Sequence, residues 1–199
     1  HKHINDVLAD RNYLSTDICV FSETRFNGSD SDTMYKIGEH ILFRNDAASQ
    51  HNERPCGGTA VYTRIDYYPR YPYCCNQNGI EITVMRFMII PHITVIALPQ
   101  FQSDIFVQQL EVIAIVITTL KVFIGDFNVN WLNITERATL YSLFITENHY
   151  RQLMSCYTTD NKTCIDHTYT NMDEDKIQAN VWETYFSDHK AIYALINGF

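Results

Sequence analysis

The 199 residues are 46% hydrophobic and 19% charged, with only 7 Gly and 5 Pro; this excludes a disordered tail, a collagen-like repeat or a linker and predicts one globular domain over 1–199. Fifteen Lys plus Arg against 23 Asp plus Glu leave a net charge of −8. Long-range attraction to polyanions or acidic membranes is thereby excluded, and a nucleic acid would have to be gripped locally.

In chain order, Ile4, Val7, Leu8 and Tyr13 recur at helical spacing, and Ser15-Thr16-Asp17 turns the chain into the buried-strand run Ile18-Cys19-Val20-Phe21. Asn27 to Asp32 is a polar loop. Ile41-Leu42-Phe43 and Thr59 to Thr63 read as short strands on either side of the breaker Pro55-Cys56-Gly57-Gly58. Tyr67 to Asn78 lacks periodicity and predicts a loop, whereas Ile80 to Ile90 and Ile93 to Leu98 are β-branched runs split by Pro91 and predict a hairpin-like pair.

Ile105, Phe106, Leu110, Ile113 and Ile117 predict a helix behind a Ser103 cap, though its Val116-Ile117 end is equally strand-like. Val122-Phe123-Ile124 is then a short strand ending at Gly125-Asp126, and Thr135 opens a helix running to about His149. Cys164-Ile165, Val181 to Phe186 and Ala191 to Ile196 are strand-like. Strands alternating with a few helices, without a repeat or linker, predict a single α/β sandwich.

Six cysteines stand without CxxC or CxxxC spacing, so a zinc site is not expected; they read as reduced, mostly buried thiols of an intracellular protein. The most apolar stretch, Val112 to Ile124, is broken by Thr118, Thr119 and Lys121 and falls short of the ~20 residues a membrane span needs. No membrane partner is expected. The chain opens on His1 with no apolar leader, which predicts a piece of a longer protein.

Four acidic residues follow an apolar run at once: Phe21-Ser22-Glu23, Phe123-Ile124-Gly125-Asp126, Cys164-Ile165-Asp166 and Phe186-Ser187-Asp188. Any one of them alone reads as a solvated turn former. Gathered at one sheet edge they would repel one another unless a hard divalent cation, Mg²⁺ or Mn²⁺, sat among them. In Gly125-Asp126-Phe127-Asn128 the glycine allows close approach, the carboxylate can orient or deprotonate water, and the amide can bond a phosphate oxygen. His189 can donate to a phosphate oxygen if a carboxylate, with Asp166 the candidate, holds its other nitrogen. His167 stays open, since alternation sends it to the face opposite Asp166. The other six histidines read as structural or solvated. Gly57-Gly58 reads as a turn, and Trp131 is equally suited to stacking on a base or to covering the core.

Taken together, Ser22-Glu23-Thr24, Gly125 to Asn128, Ile165-Asp166-His167 and Ser187-Asp188-His189 resemble, in order and wide spacing, the endonuclease/exonuclease/phosphatase superfamily. Asp17 to Thr24, Gly57 to Val61 and Thr163 to His167 look like endonuclease domains of non-LTR retrotransposons. Thr158 to Asn161 and Glu183 to Lys190 are similar to the endonuclease of Helitron-type transposon helicase proteins.

The resemblance implies a deoxyribonuclease-I-like fold, a four-layer α/β sandwich of two mixed β-sheets flanked by helices, with its first strand and that strand's asparagine upstream of His1. It implies Glu23 as a ligand of Mg²⁺ or Mn²⁺, and Asp126 as the group that positions and activates water. Asn128 would orient water and phosphate, the Asp166–His189 pair would contact the scissile phosphate, and Asp188 would support the metal or leaving group. Thr158 or Thr159, and Ser187, would touch phosphate. The family's tyrosine is absent at Ala97-Leu98-Pro99-Gln100.

The expected function is Mg²⁺-dependent nicking of target DNA by a transposable-element endonuclease, linked in the parent protein to a reverse transcriptase or helicase and acting in the nucleus. The alternatives are a catalytically degenerate DNA-docking remnant and a phosphatase or phosphodiesterase on small phosphorylated substrates.

Overall fold

The computed structural model describes residues 4–22, 24–46, 57–67, 69–77, 80–87, 92–97 and 121–197. Two short helices, α1 (Ile4–Ala9) and α2 (Arg11–Ser15), stand where one was expected. The break falls at Asp10, whose extended backbone and side chain cap the second helix by accepting from the Asn12 amide at 2.9 Å.

The strands are β1 (Ile18–Phe21), β2 (Ile41–Asn45), β3 (Thr59–Thr63), β4 (Arg70–Gln77), β5 (Ile80–Arg86), β6 (His92–Ala97) and β7 (Lys121–Asp126). After the helical segment α3, which runs from Ala138 to Leu140 and continues as π-helical turns over Tyr141–Glu147, come β8 (Arg151–Gln152), β9 (Asp166–Thr170), β10 (Ile177–Trp182) and β11 (Ala191–Ile196).

A six-stranded mixed sheet has the order β4-β5-β6-β7-β9-β8, with β6 and β7 parallel and its other pairs antiparallel. Facing it, among the described residues, are two antiparallel pieces, β1-β3-β2 and β10-β11. The period-two alternation of side chains on β7 assigns the two faces. Val122 points to the core between the sheets with Val61, Met85, Met172 and Ile177, which Ile18, Val20, Ala194 and Ile196 join from β1 and β11. Phe123 points the other way, to a cluster with Leu140, Leu143 and Phe144 of α3. A third cluster, built on Val7, Tyr13, Cys19 and Tyr62, seals α1 and α2 onto the back of the smaller sheets. The result is the four-layer order helix, sheet, sheet, helix.

Several local expectations change. Tyr67 to Asn78, expected as a loop, contains β4: pairing with β5 outweighs the poor local propensity, and a register shift between Arg70 and Tyr73 accommodates Pro72 at the sheet's edge. Cys164 and Ile165 are not strand; their carbonyls accept from Trp131 and Phe127 at 2.8 and 2.9 Å, and the ladder begins only at Asp166. The strand expected over Val181 to Phe186 is instead Ile177–Trp182, and Glu183 to Phe186 lead into the loop before β11. The helix expected behind Ser103 lies outside the described residues. Cys19, Cys74, Cys156 and Cys164 are free thiols, and among the described residues no helix is long and apolar enough to cross a membrane.

Phe144 is 2% exposed and its ring packs on those of Phe123, Phe127, Tyr150 and Tyr169. Phe144→Ala is expected to cost about 3–5 kcal/mol of unfolding free energy in urea titrations; a loss below about 1 kcal/mol would contradict this packing.

Candidate active site at the β7–β9 edge

The site begins with register. Antiparallel pairing of β7 with β9 sets Asp126, the last residue of one strand, directly opposite Asp166, the first of the other. Gly125 precedes Asp126 with a φ of 147°, a conformation that a Cβ would oppose, so glycine is required there. The chain then turns through Asn128 at φ 50°, a left-handed position that Asn tolerates. Asp126 closes this turn by accepting from the Asn128 amide at 2.8 Å and from its side-chain Nδ2 at 3.4 Å.

The loop between β10 and β11 delivers the third group. The Ser187 hydroxyl accepts from the His189 amide at 3.1 Å, and the Thr184 hydroxyl donates to the His189 carbonyl at 2.5 Å. The Lys190 amide donates to the Thr158 carbonyl at 2.8 Å, and the Asp160 amide to the Asp188 carbonyl at 3.0 Å. So fixed, the His189 ring places Nδ1 at 3.0 and 3.2 Å from the two carboxylate oxygens of Asp166. One ligand atom each from Asp126, Asp166 and His189 lies within 4.8 Å of the other two.

The electrostatics follow from this geometry. The hydrogen bond to Asp166 pushes the His189 pKa up to about 9, against partial desolvation, and the charges of Asp166, Asp126 and Asp188 add to the rise. His167, one residue beyond Asp166, meets the opposite fate. It is fully buried, with Nε2 donating to the Val129 and Cys164 carbonyls at 2.9 and 3.0 Å and Nδ1 accepting from the Tyr169 hydroxyl at 2.9 Å. Burial pushes its pKa down to about 4. It is a neutral core residue on the other face of β9.

The structure brings Asp126, Asn128, Asp166 and His189 together. Asp188 lines the same cavity but does not belong to the tight three-residue cluster. Glu23 lies outside the described residues; Ser22 and Thr24 on either side of it line the cavity. The Thr158 hydroxyl accepts from the Ile165 and Asp166 amides, each at 3.1 Å, and the Thr159 hydroxyl bonds that of Thr163 at 2.6 Å. Both threonines are buried and hold the Asp166 loop in place. Trp131 is 9% exposed, with its ring on Tyr141 and beneath Arg137, and so belongs to the core.

Two contributors were given no part in the site by the sequence. Gly57 and Gly58, at φ 86° and 90°, turn their carbonyls to the amides of Arg25 and Thr24 at 2.8 and 3.1 Å, anchoring the segment after Glu23. Asp160 adds a carboxylate to the cavity wall. The paired glycines were the available signal for the first; nothing local marks the second.

The four-layer α/β sandwich is the fold of endonuclease/exonuclease/phosphatase proteins, and this chain has that fold. No family model and no curated protein matches the sequence. Among solved structures, the human Nocturnin catalytic domain with bound sulfate is similar at 13% identity and a TM-score of 0.68, covering 97% of this chain and 84% of the other. An endonuclease/exonuclease/phosphatase family protein from Leptotrichia buccalis is similar at 14% identity and a TM-score of 0.68, with coverage of 99% and 93%. The endonuclease domain of TRAS1, a telomere-specific non-LTR retrotransposon, is similar at 18% identity and a TM-score of 0.61, with coverage of 98% and 93%. The likeness first read from four motifs holds at the level of the fold.

Two pH measurements test the site. In metal-free protein, NMR titration of His189 is expected to give a pKa near 9 that falls toward the ordinary range in Asp166→Asn. Because this folded pKa lies above the unfolded one, the pair stabilises the fold fully below about pH 6.5 and loses that effect as pH rises through about 9. For His167 the sign reverses: its contribution is complete above pH 6.5 and is lost as pH falls through about 4. Denaturant titrations of the wild type should therefore show roughly 3 kcal/mol of acid destabilisation across that window, and much less in a folded His167→Gln variant.

Proposed function

We propose that the chain hydrolyses phosphodiesters with a divalent metal and acts as a DNA endonuclease of a transposable element. The observation that carries this reading is the convergence of Asp126, Asp166 and His189 from three separate stretches of chain. The fold and its likeness to the TRAS1 endonuclease domain support it.

The donor set suits a hard cation. Two carboxylates side by side across the β7–β9 pair, with Asp160 and Asp188 on the same cavity wall, form an oxygen-rich, negatively charged surface. Glu23 and Asp188 would hold Mg²⁺ or Mn²⁺, beside the carboxylate of Asp126. Such an ion would supply Lewis-acid polarisation of the phosphate and shield the incoming anion from the carboxylates.

The chain's own groups do the rest. Asp126 accepts a proton from the attacking water as the water oxygen bonds to phosphorus; the P–O bond to the leaving group breaks beside Asp188 and the departing oxygen takes a proton from solvent. Asn128, fixed to Asp126 by its backbone and side chain, orients water and phosphate. Asp166 holds His189 by Nδ1, so that Nε2 meets a non-bridging phosphate oxygen as negative charge builds in the transition state. Thr158, Thr159 and Ser187 act as positioning residues through the loops they fasten.

The partners in this reading are DNA, gripped locally because the net charge is −8, and a linked reverse transcriptase or helicase; the setting is the nucleus. Purified protein with Mg²⁺ or Mn²⁺ is expected to nick supercoiled plasmid, and chelation is expected to stop it. Asp126→Ala and His189→Ala should each lower the rate by about a hundredfold or more. DNA binding without cleavage by the wild type would favour a docking remnant, and release of phosphate from small substrates with plasmid left intact would favour a phosphatase.

A further inference from the structure

The loop joining β10 to β11 carries two groups that the proposed hydrolysis leaves unused, Tyr185 and Lys190. Tyr185 is 69% exposed, yet its ring is held on two sides. Its hydroxyl donates to the Asp6 carbonyl of α1 at 3.2 Å, and its ring meets that of Phe186 edge to face with centroids 5.3 Å apart. The loop beneath it is fastened as well, since the Thr184 hydroxyl is shared between the Ser187 and His189 carbonyls at 3.3 and 2.5 Å. An immobile ring facing solvent gives up side-chain freedom without gaining burial, a cost that contact with a ligand would offset.

Tyr185 lines the same cavity as Asp126, Asp166 and His189. Lys190, directly after His189, lines it too, and its ammonium donates to Glu183 at 2.6 Å. The Glu183 side chain is 76% exposed, so this is a surface ion pair of small worth that a phosphate can displace. Among the described residues five Asp line the cavity against Arg25, His189 and Lys190, and the whole chain carries a net charge of −8. Phosphate contacts alone therefore cannot supply the grip on a nucleic acid, and neutral contacts to bases must contribute.

We propose that Tyr185 is a stacking platform for an unpaired DNA base beside the bound phosphate, and that Lys190 leaves Glu183 to meet the adjoining phosphate of the same strand. Resting on the phosphodiester reading above, this narrows the substrate class to DNA that is single-stranded or locally opened. In a paired duplex both faces of each base are covered by its neighbours, and a ring at the cavity rim meets only base edges. In an unpaired strand a face is free. Because every base has such a face, the loop selects the state of the strand and not its sequence. Negative supercoiling, which favours local opening, makes plasmid a competent target.

The test is binding to the Asp126→Asn protein with Mg²⁺, in which the strand stays uncut. A fluorescein-labelled single strand of about 12 nucleotides is compared by anisotropy with a hairpin duplex of the same sequence, and 2-aminopurine in the strand reports stacking. The single strand is expected to bind about tenfold or more tighter, with quenching of the 2-aminopurine. Tyr185→Phe, which keeps the ring and loses the bond to α1, should retain both effects. Tyr185→Ala should lose the quench and about tenfold in preference. Lys190→Gln should lower the salt slope of single-strand binding by about 0.7.

Equal affinity for the duplex, binding of neither strand, or a quench that persists in Tyr185→Ala overturns the proposal. Loss of the preference in Tyr185→Phe overturns it as well, since the hydroxyl's hold on α1 would then be what matters. Plasmid nicking by the wild type is scored separately. Nicking without strand preference removes this inference alone, and strand-selective binding without nicking removes the hydrolytic reading alone.

Discussion

The pairing of β7 with β9 is the constraint on which the site depends. It sets two carboxylates, Asp126 and Asp166, side by side at one edge of the mixed sheet. Like charges at that separation are unfavourable unless a positive charge joins them. The chain supplies one in His189, seated on Asp166. A slip of one residue in this register would send Asp166 into the aromatic core and His167 to the rim, removing both the pair and the core hydrogen bonds of His167.

Much of the molecule serves to hold that register and deliver His189 to it. The Asp166 amide is fixed by Thr158, the carbonyl of Thr158 receives the Lys190 amide, and Thr159 bridges to His189. The β8–β9 and β10–β11 loops are therefore tied into one unit by backbone and side-chain hydrogen bonds, each modest alone but expensive to leave unmade when buried. The single step along β9 from Asp166 to His167, which reverses the face, explains why two histidines of one chain differ so widely: His167 is held neutral by burial, and His189 is held charged by a carboxylate.

The layering bears on function as well. Among the described residues the six-stranded sheet is continuous, whereas the facing layer stands as two antiparallel pieces, with residues of both lining one cavity. Asp126, Asp166 and His189 line that cavity, together with Asp160 and Asp188.

The cluster of Asp126, Asp166 and His189 was legible in the sequence because an apolar run ending in Asp, a Gly-Asp-Phe-Asn turn and a Ser-Asp-His turn are local patterns with local causes. So were β1, β3, β5, β6, β7 and β11, whose β-branched and aromatic runs match a buried pleat. The face assignment of His167 followed from period two alone. The strand at Arg70–Gln77 did not, because its pairing with β5 is a non-local gain that overrides turn-rich composition. Nor did the structural duties of Thr158 and Thr159, whose hydroxyls look alike until their partners are placed. Sequence by itself determined which side chains can do chemistry and which runs must be buried. Only the tertiary structure decided which of them meet, since register and loop closure are set by contacts between residues distant along the chain.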